Sequence, residues 1–121
     1  MREPQADCEK KLLSCLGLCV RAGKVIFGVP QIVEAMRRGG RNAPVTVLEA
    51  ADTSDNTHKK ISDKCKTYQT KHIRLGVDGA TLAAALGKTA SLGAVAVTDL
   101  SMSEMVERHI PDVGHESTPT S

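Results

Sequence analysis

RAGKVIFGVPQIVEAMRRGG, residues 21–40, holds the transition on which the fold turns: a short β-branched run passes directly into an amphipathic helix. Val25, Ile26 and Phe27 form a run too short for a helix and read as a strand from Lys24 to Phe27. From about Pro30 to Arg38, Ile32, Val33, Ala35 and Met36 bury one face of a helix, and Gly39-Gly40 ends it. Gly28 and Pro30 are the only punctuation between the two. Proline is tolerated in a helix's first turn, where its missing N–H has no intrahelical partner, and glycine lets another molecule approach the backbone closely. The amides that open such a helix lack internal acceptors and carry partial positive charge, so they suit an anion. Basic residues flank the turn, Arg21 and Lys24 before it and Arg37, Arg38 and Arg41 after it, so the expected anion is phosphate.

Outward from this stretch, helices and strands alternate. Leu12, Leu13, Leu16, Cys19 and Val20 predict a first helix from about Asp7 to Ala22, stopped by Gly23. After the second helix, Pro44 opens a strand through Leu48. Ser54 caps a third helix reaching about Tyr68, with Ile61, Cys65 and Tyr68 inward and Lys59, Lys60, Lys64 and Lys66 outward. A strand over residues 72–75, a helix capped by Asp78, a strand over residues 94–98 and a last helix capped by Ser101 complete the pattern. This alternation implies an α/β fold, a three-layer α/β/α sandwich around a central mixed sheet of about four strands. One domain is expected over residues 1–110. From Pro111 the chain turns to Gly, Ser, Thr and Pro, and residues 111–121 read as a disordered tail.

Composition narrows the partners. Of 121 residues, 40% are apolar, yet aromatics stop at Phe27 and Tyr68, which excludes a platform that stacks several bases. No apolar run approaches a membrane span, and Arg2, Glu3 and Asp7 make no signal peptide, so a cytoplasmic protein without a membrane partner is expected. Charge is segregated: residues 10–41 sum to +6 and residues 58–74 to +5, while residues 42–57 sum to −3. Two basic blocks in a small domain suggest a side that faces a polyanion.

Catalytic and metal motifs fail on spacing. Gly87-Lys88-Thr89 resembles the end of a phosphate loop, but Leu82 stands where that motif needs glycine. No carboxylate pair or nucleophile elbow is present, so no catalytic residue and no cofactor is expected. Cys8, Cys15 and Cys19 stack on one helix side without a CxxC pair and read, with Cys65, as buried thiols in a reducing compartment. His58, His72, His109 and His115 show no ligand spacing, so no metal is expected.

Three segments together carry a resemblance: LGLCVRAGKVIFGVPQIVEAMRRGG (residues 16–40), VTVLEAADTSDNTHKKISDKC (45–65) and LGKTASLGAVAVTD (86–99). RAGK, the isolated Gly28, the A-x-D-x-S-x-N-T loop, the D-K-C triplet and the L-G-K turn, in this order, are similar to the ribosomal protein L7Ae superfamily, and within it to a small bacterial YlxQ-like branch. The resemblance implies an α/β/α sandwich that binds kink-turns, sharply bent RNA elements with tandem sheared G·A pairs, as a monomer associated with the ribosome. It implies that Gly28, Val29, Pro30, Gln31 and Glu34 face the bases, that Arg21 and Lys24 meet phosphates, with Arg37 and Arg38 nearby, and that Ala51 and Asp52 flank the site. Residues 90–93, with Ser91 and Leu92, would give an apolar cover for an extruded nucleotide.

The typical opening of the family's helix is glycine, any residue, asparagine, glutamate, then lysine three residues on. Here Pro30 cannot make asparagine's hydrogen bonds, Gln31 has lost the charge, and Glu34 reverses the lysine's sign. The backbone amides survive while base reading is weakened. A protein–protein module on the same scaffold is therefore the alternative expectation.

Overall fold

The computed structural model describes residues 5–109, with side chains from Glu9 onward; the tail expected at 111–121 lies outside the described residues. Nine elements alternate: α1 (Gln5–Arg21), β1 (Val25–Phe27), α2 (Val29–Arg38), β2 (Thr46–Glu49), α3 (Asp55–Thr67), β3 (Lys71–Arg74), α4 (Gly79–Ala85), β4 (Ala94–Val97) and α5 (Leu100–Glu107). The sheet order is β1-β4-β2-β3, with β4 antiparallel to both β1 and β2, and β2 parallel to β3.

The two central strands explain the three layers. β2 and β4 are buried throughout, so both of their faces need a helical cover. In β4, Val95 and Val97 point into a cluster built on Leu12, Leu16 and Cys19 of α1, Leu82 of α4 and Val106 of α5. Ala94 and Ala96 point the other way, into a cluster with Ile32 and Met36 of α2 and Ile61 and Cys65 of α3. The small alanines let α2 lie close to the sheet. Full burial of one leucine contributes about 1.5–3 kcal/mol, so Leu12, Leu16, Leu48 and Leu82 dominate the larger cluster.

Local chemistry sets the ends. Gly23 takes φ +73° after α1, and its amide and that of Lys24 bond back to Val20 O and Cys19 O at 2.9 and 3.0 Å. Ser54 and Asp78 cap α3 and α4 by accepting from the amides of Thr57 and Thr81. Three expectations need correction. The cap of α5 is Asp99, not Ser101: its carboxylate accepts from Met102 N at 3.0 Å, and the helix starts directly after the strand's last turn-out. Tyr68 is exposed because α3 ends at Thr67 and the chain then turns through Gln69 at φ +55°. β2 runs on through Glu49, which is wholly buried rather than part of a loop.

Candidate nucleic-acid interface

Gly28 caps α2 with φ +90° and ψ 144°, a conformation reserved in practice for glycine. Its amide donates to Ala94 O and its carbonyl accepts from Ile32 N, both at 3.0 Å, which pins the start of α2 to the head of β4. Gly28 has no side chain to cap the helix. The amides of Val29 and Gln31 therefore open α2 without an intrahelical acceptor, while Pro30 has none to offer.

Three loops meet α2 at this end of the sheet. Ala50 N donates to Gly93 O at 2.9 Å and Ala51 N to Val77 O at 2.8 Å. Asp52 accepts from Gly79 N at 2.8 Å, so its carboxylate braces two loops. Gly79 sits so tightly against Ser91 and the Leu92 carbonyl that a Cβ there would collide with both. Rigid loops of this kind hold an open groove of about 450 Å³ between Gly28, Val29 and Pro30 on one side, Thr57 and Lys60 of α3 on another, and Ser91, Leu92 and Gly93 on the third. A second groove, of about 400 Å³, runs along α2 past Pro30, Gln31, Glu34 and Arg38 beside Ile26 of the edge strand.

The expected site residues thus divide. Gly28, Val29, Pro30, Ser91 and Leu92 converge on the first groove, and Gln31, Glu34 and Arg38 line the second. Ala51 and Asp52 are exposed at the same end. The ring of cations around the start of α2 is not formed as the sequence suggested. Lys24 is at the opposite end of β1, where its carbonyl accepts from Thr98 N, about 13 Å of extended chain away from Gly28. Arg21 ends α1 at that same far end, and Arg37 and Arg38 occupy the last turn of α2. There both pair with Glu34, Arg37 through a hydrogen bond at 2.6 Å and Arg38 through a looser ion pair at 3.6 Å.

Among the described residues the cation lining the first groove is Lys60, one of the lysines expected to face outward from α3. Its signal was the second basic block, whose distance to α2 only the sheet order supplies. Lys88 also reaches this end, its ammonium 4.3 Å from the centroid of Phe27.

Beneath the β2–α3 loop lies a polar cluster that linear spacing concealed. His58 Nδ1 and His72 Nε2 stand 2.8 and 2.7 Å from Glu49 Oε1. Thr53 donates to Glu49 Oε2, and Arg74 Nε is 3.9 Å from that same oxygen. Burial alone would raise the Glu49 carboxyl, but hydrogen bonds from Thr53, His58 and His72 outweigh it and hold the group below the usual carboxylate range.

No helix among the described residues is long and apolar enough to cross a membrane. RNA-binding protein YlxQ of Bacillus subtilis (strain 168) is 37% identical over 84 residues, 69% of this chain and 79% of that protein. RNA-binding protein YlxQ of Enterococcus faecium is 37% identical over 60 residues, 50% of this chain and 55% of that protein. Among solved structures, a protein of unknown function from Bacillus halodurans C superposes with a TM-score of 0.72 at 31% identity, covering 82% of this chain and 95% of that one. The Giardia lamblia 15.5kD RNA binding protein superposes with a TM-score of 0.67, covering 89% of this chain and 93% of that one, and at 14% identity it speaks for the fold alone. Residues 10–107 match the model of the ribosomal protein L7Ae/L30e/S12e/Gadd45 family, to which this chain belongs.

Proposed function

We propose that this protein is a non-catalytic RNA-binding protein that recognises structured RNA of the kink-turn type, as a monomer in the cytoplasm and in association with the ribosome. The observation that carries this reading is the groove at the start of α2. There, amides without intrahelical acceptors, the Lys60 ammonium and the loop at residues 91–93 face one another across space for a nucleotide. The relationship to proteins named RNA-binding protein YlxQ supports the same conclusion. In this reading the α2 amides and Lys60 hold phosphate or base edges, Leu92 and Val29 cover an extruded base, and Ala51 and Asp52 flank it. Phosphate contacts supply most of the affinity, and the bent shape of the RNA supplies the selectivity.

A gel-shift titration against a kink-turn hairpin and a straightened control tests it. Preferential binding of the hairpin, weakening steeply with salt, is expected. Equal binding of both RNAs would remove the kink-turn assignment, and binding of neither would remove the RNA assignment.

The second reading, a protein-docking module that has lost base reading, is favoured by the ion pairs of Glu34. They hold Arg37 and Arg38 against a carboxylate, and Pro30 offers no side-chain donor in the first turn of α2. Purified protein free of nucleic acid at low salt, together with no shift of either RNA, would favour that reading.

A further inference from the structure

We propose that Glu49, His58 and His72 form a binding site for a divalent transition-metal cation of the zinc type. One carboxylate oxygen and two imidazole nitrogens lie within 4.8 Å of one another. Two histidines and one glutamate are a donor set that zinc uses with a fourth position left to water.

The fold makes this set deliberate in geometry although it is invisible in spacing. Glu49 is the last residue of the buried strand β2, His58 is in the first turn of α3, and His72 belongs to β3. In the parallel pairing, Val47 lies opposite His72 and Glu49 opposite Arg74, so all four side chains share the face that α3 covers. The Ser54 cap fixes where α3 begins and hence where His58 points.

The carboxylate is wholly buried, while the side chains of His58 and His72 are 40% and 18% exposed. Water, and therefore an ion, can reach the two imidazoles from the solvent side. Thr53 holds Oε2 and leaves Oε1 facing both rings, the kind of outer hydrogen bond that orients a metal ligand. Donors bound to one tetrahedral zinc stand about 3.3 Å apart, so each imidazole nitrogen, now 2.7–2.8 Å from Oε1, would move back from the carboxylate by about half an ångström as the three donors, all within 4.8 Å of one another, close around the ion.

One neighbour opposes the cation. The Arg74 guanidinium lies on the Oε2 side and is tethered by a hydrogen bond to Ala51 O at 3.1 Å. Its charge lowers the affinity of the site without occupying the donor oxygen. Cys65 stands outside the three-atom group.

The experiment is titration of the full-length, chelator-treated protein with Zn²⁺ by calorimetry, and with Co²⁺ by visible absorption, with circular dichroism of each variant. The expected result is one cation per chain at this site and cobalt bands of a four-coordinate nitrogen–oxygen site. His58→Asn, at a half-buried position in the first turn of α3, should lower affinity by about tenfold or more, and Glu49→Gln should do the same. Arg74→Gln should tighten binding, which a merely structural hydrogen-bond network would not produce. Zn²⁺ binding that is absent, or unaltered in the folded His58→Asn and Glu49→Gln proteins, would overturn the site. Binding left to other histidines or cysteines would then account for any residual heat.

Discussion

The side-chain oxygen of Gln31 lies 2.8 Å from the point where a Cβ on Gly28 would stand. The contact itself is soft, because Gln31 can swing outward. The backbone is not soft: at φ +90° and ψ 144° any side chain is strained, at about 1–3 kcal/mol. Gly28→Ala should therefore lower the unfolding free energy by that amount in urea titration. Gln31→Ala, which leaves the backbone alone, should stay within about 0.5 kcal/mol of the parent protein.

Lys60 and Lys24 separate two pictures of the interface. If RNA sits over the groove at the start of α2, Lys60→Glu should weaken binding more than Lys24→Glu, because Lys24 is a strand's length away. Each lost phosphate contact should also reduce the slope of log affinity against log salt by about 1. The ratio of the two effects at fixed salt is the measurement. A larger loss at Lys24 would move the RNA to the other end of β1.

These two lysines also show how much of the interface is legible in the sequence. Elements, and caps such as Ser54 and Asp78, depend on residues three or four apart, so local chemistry reveals them. Asp99 was missed because two acceptable caps, Asp99 and Ser101, stand two residues apart, and only the end of β4 decides between them. The convergence of Val29, Lys60 and Leu92 depends on sheet order, as does that of Glu49, His58 and His72. The parallel β2–β3 pairing and the insertion of β4 between β1 and β2 have no short-range signature. For the same reason charge counting grouped Arg21 and Lys24 with a helix start from which β1 separates them.

Asp78 gives the pH dependence. Hydrogen bonds from the Thr81 amide and hydroxyl hold its carboxyl below the usual range, outweighing a smaller opposing effect of burial. A carboxyl whose folded pKa is depressed stabilises above its unfolded pKa, and that contribution disappears as pH falls through the folded value. Asp78→Asn keeps an acceptor for the cap but cannot titrate. The difference in Tm between neutral pH and pH about 3 should thus be smaller for Asp78→Asn than for the parent. Equal differences would show that the cap is no seat of acid sensitivity.

On the face of the sheet that α1, α4 and α5 cover, the buried hydroxyls of Thr46 and Ser103 bond each other, and both lie within reach of the Glu107 carboxylate, at 3.3 and 3.1 Å. Ser103→Ala removes one member but leaves Thr46 its bond to Glu107. The expected loss in chemical denaturation is therefore about 1 kcal/mol, the size of one net hydrogen bond. Thr46→Val should cost a similar amount, and the double variant less than the sum, since the two hydroxyls share one interaction.

Glu34 decides whether the face of α2 beyond its first turn meets RNA. Its pairs with Arg37 and Arg38 are exposed and one turn apart, so each contributes a few tenths of a kcal/mol at most, and Glu34→Gln should leave stability within about 0.5 kcal/mol. Its effect on binding should be larger than its effect on folding. The substitution removes a negative charge from the groove lined by Pro30, Gln31 and Arg38, and it releases two guanidiniums that can turn toward phosphate. Glu34→Gln should tighten RNA binding and Glu34→Lys should tighten it further, with a steeper salt dependence, read from dissociation constants across a salt series. If affinity and slope stay unchanged in both variants, the groove beside the edge strand lies outside the interface, and recognition is confined to the space between Gly28, Lys60 and Leu92.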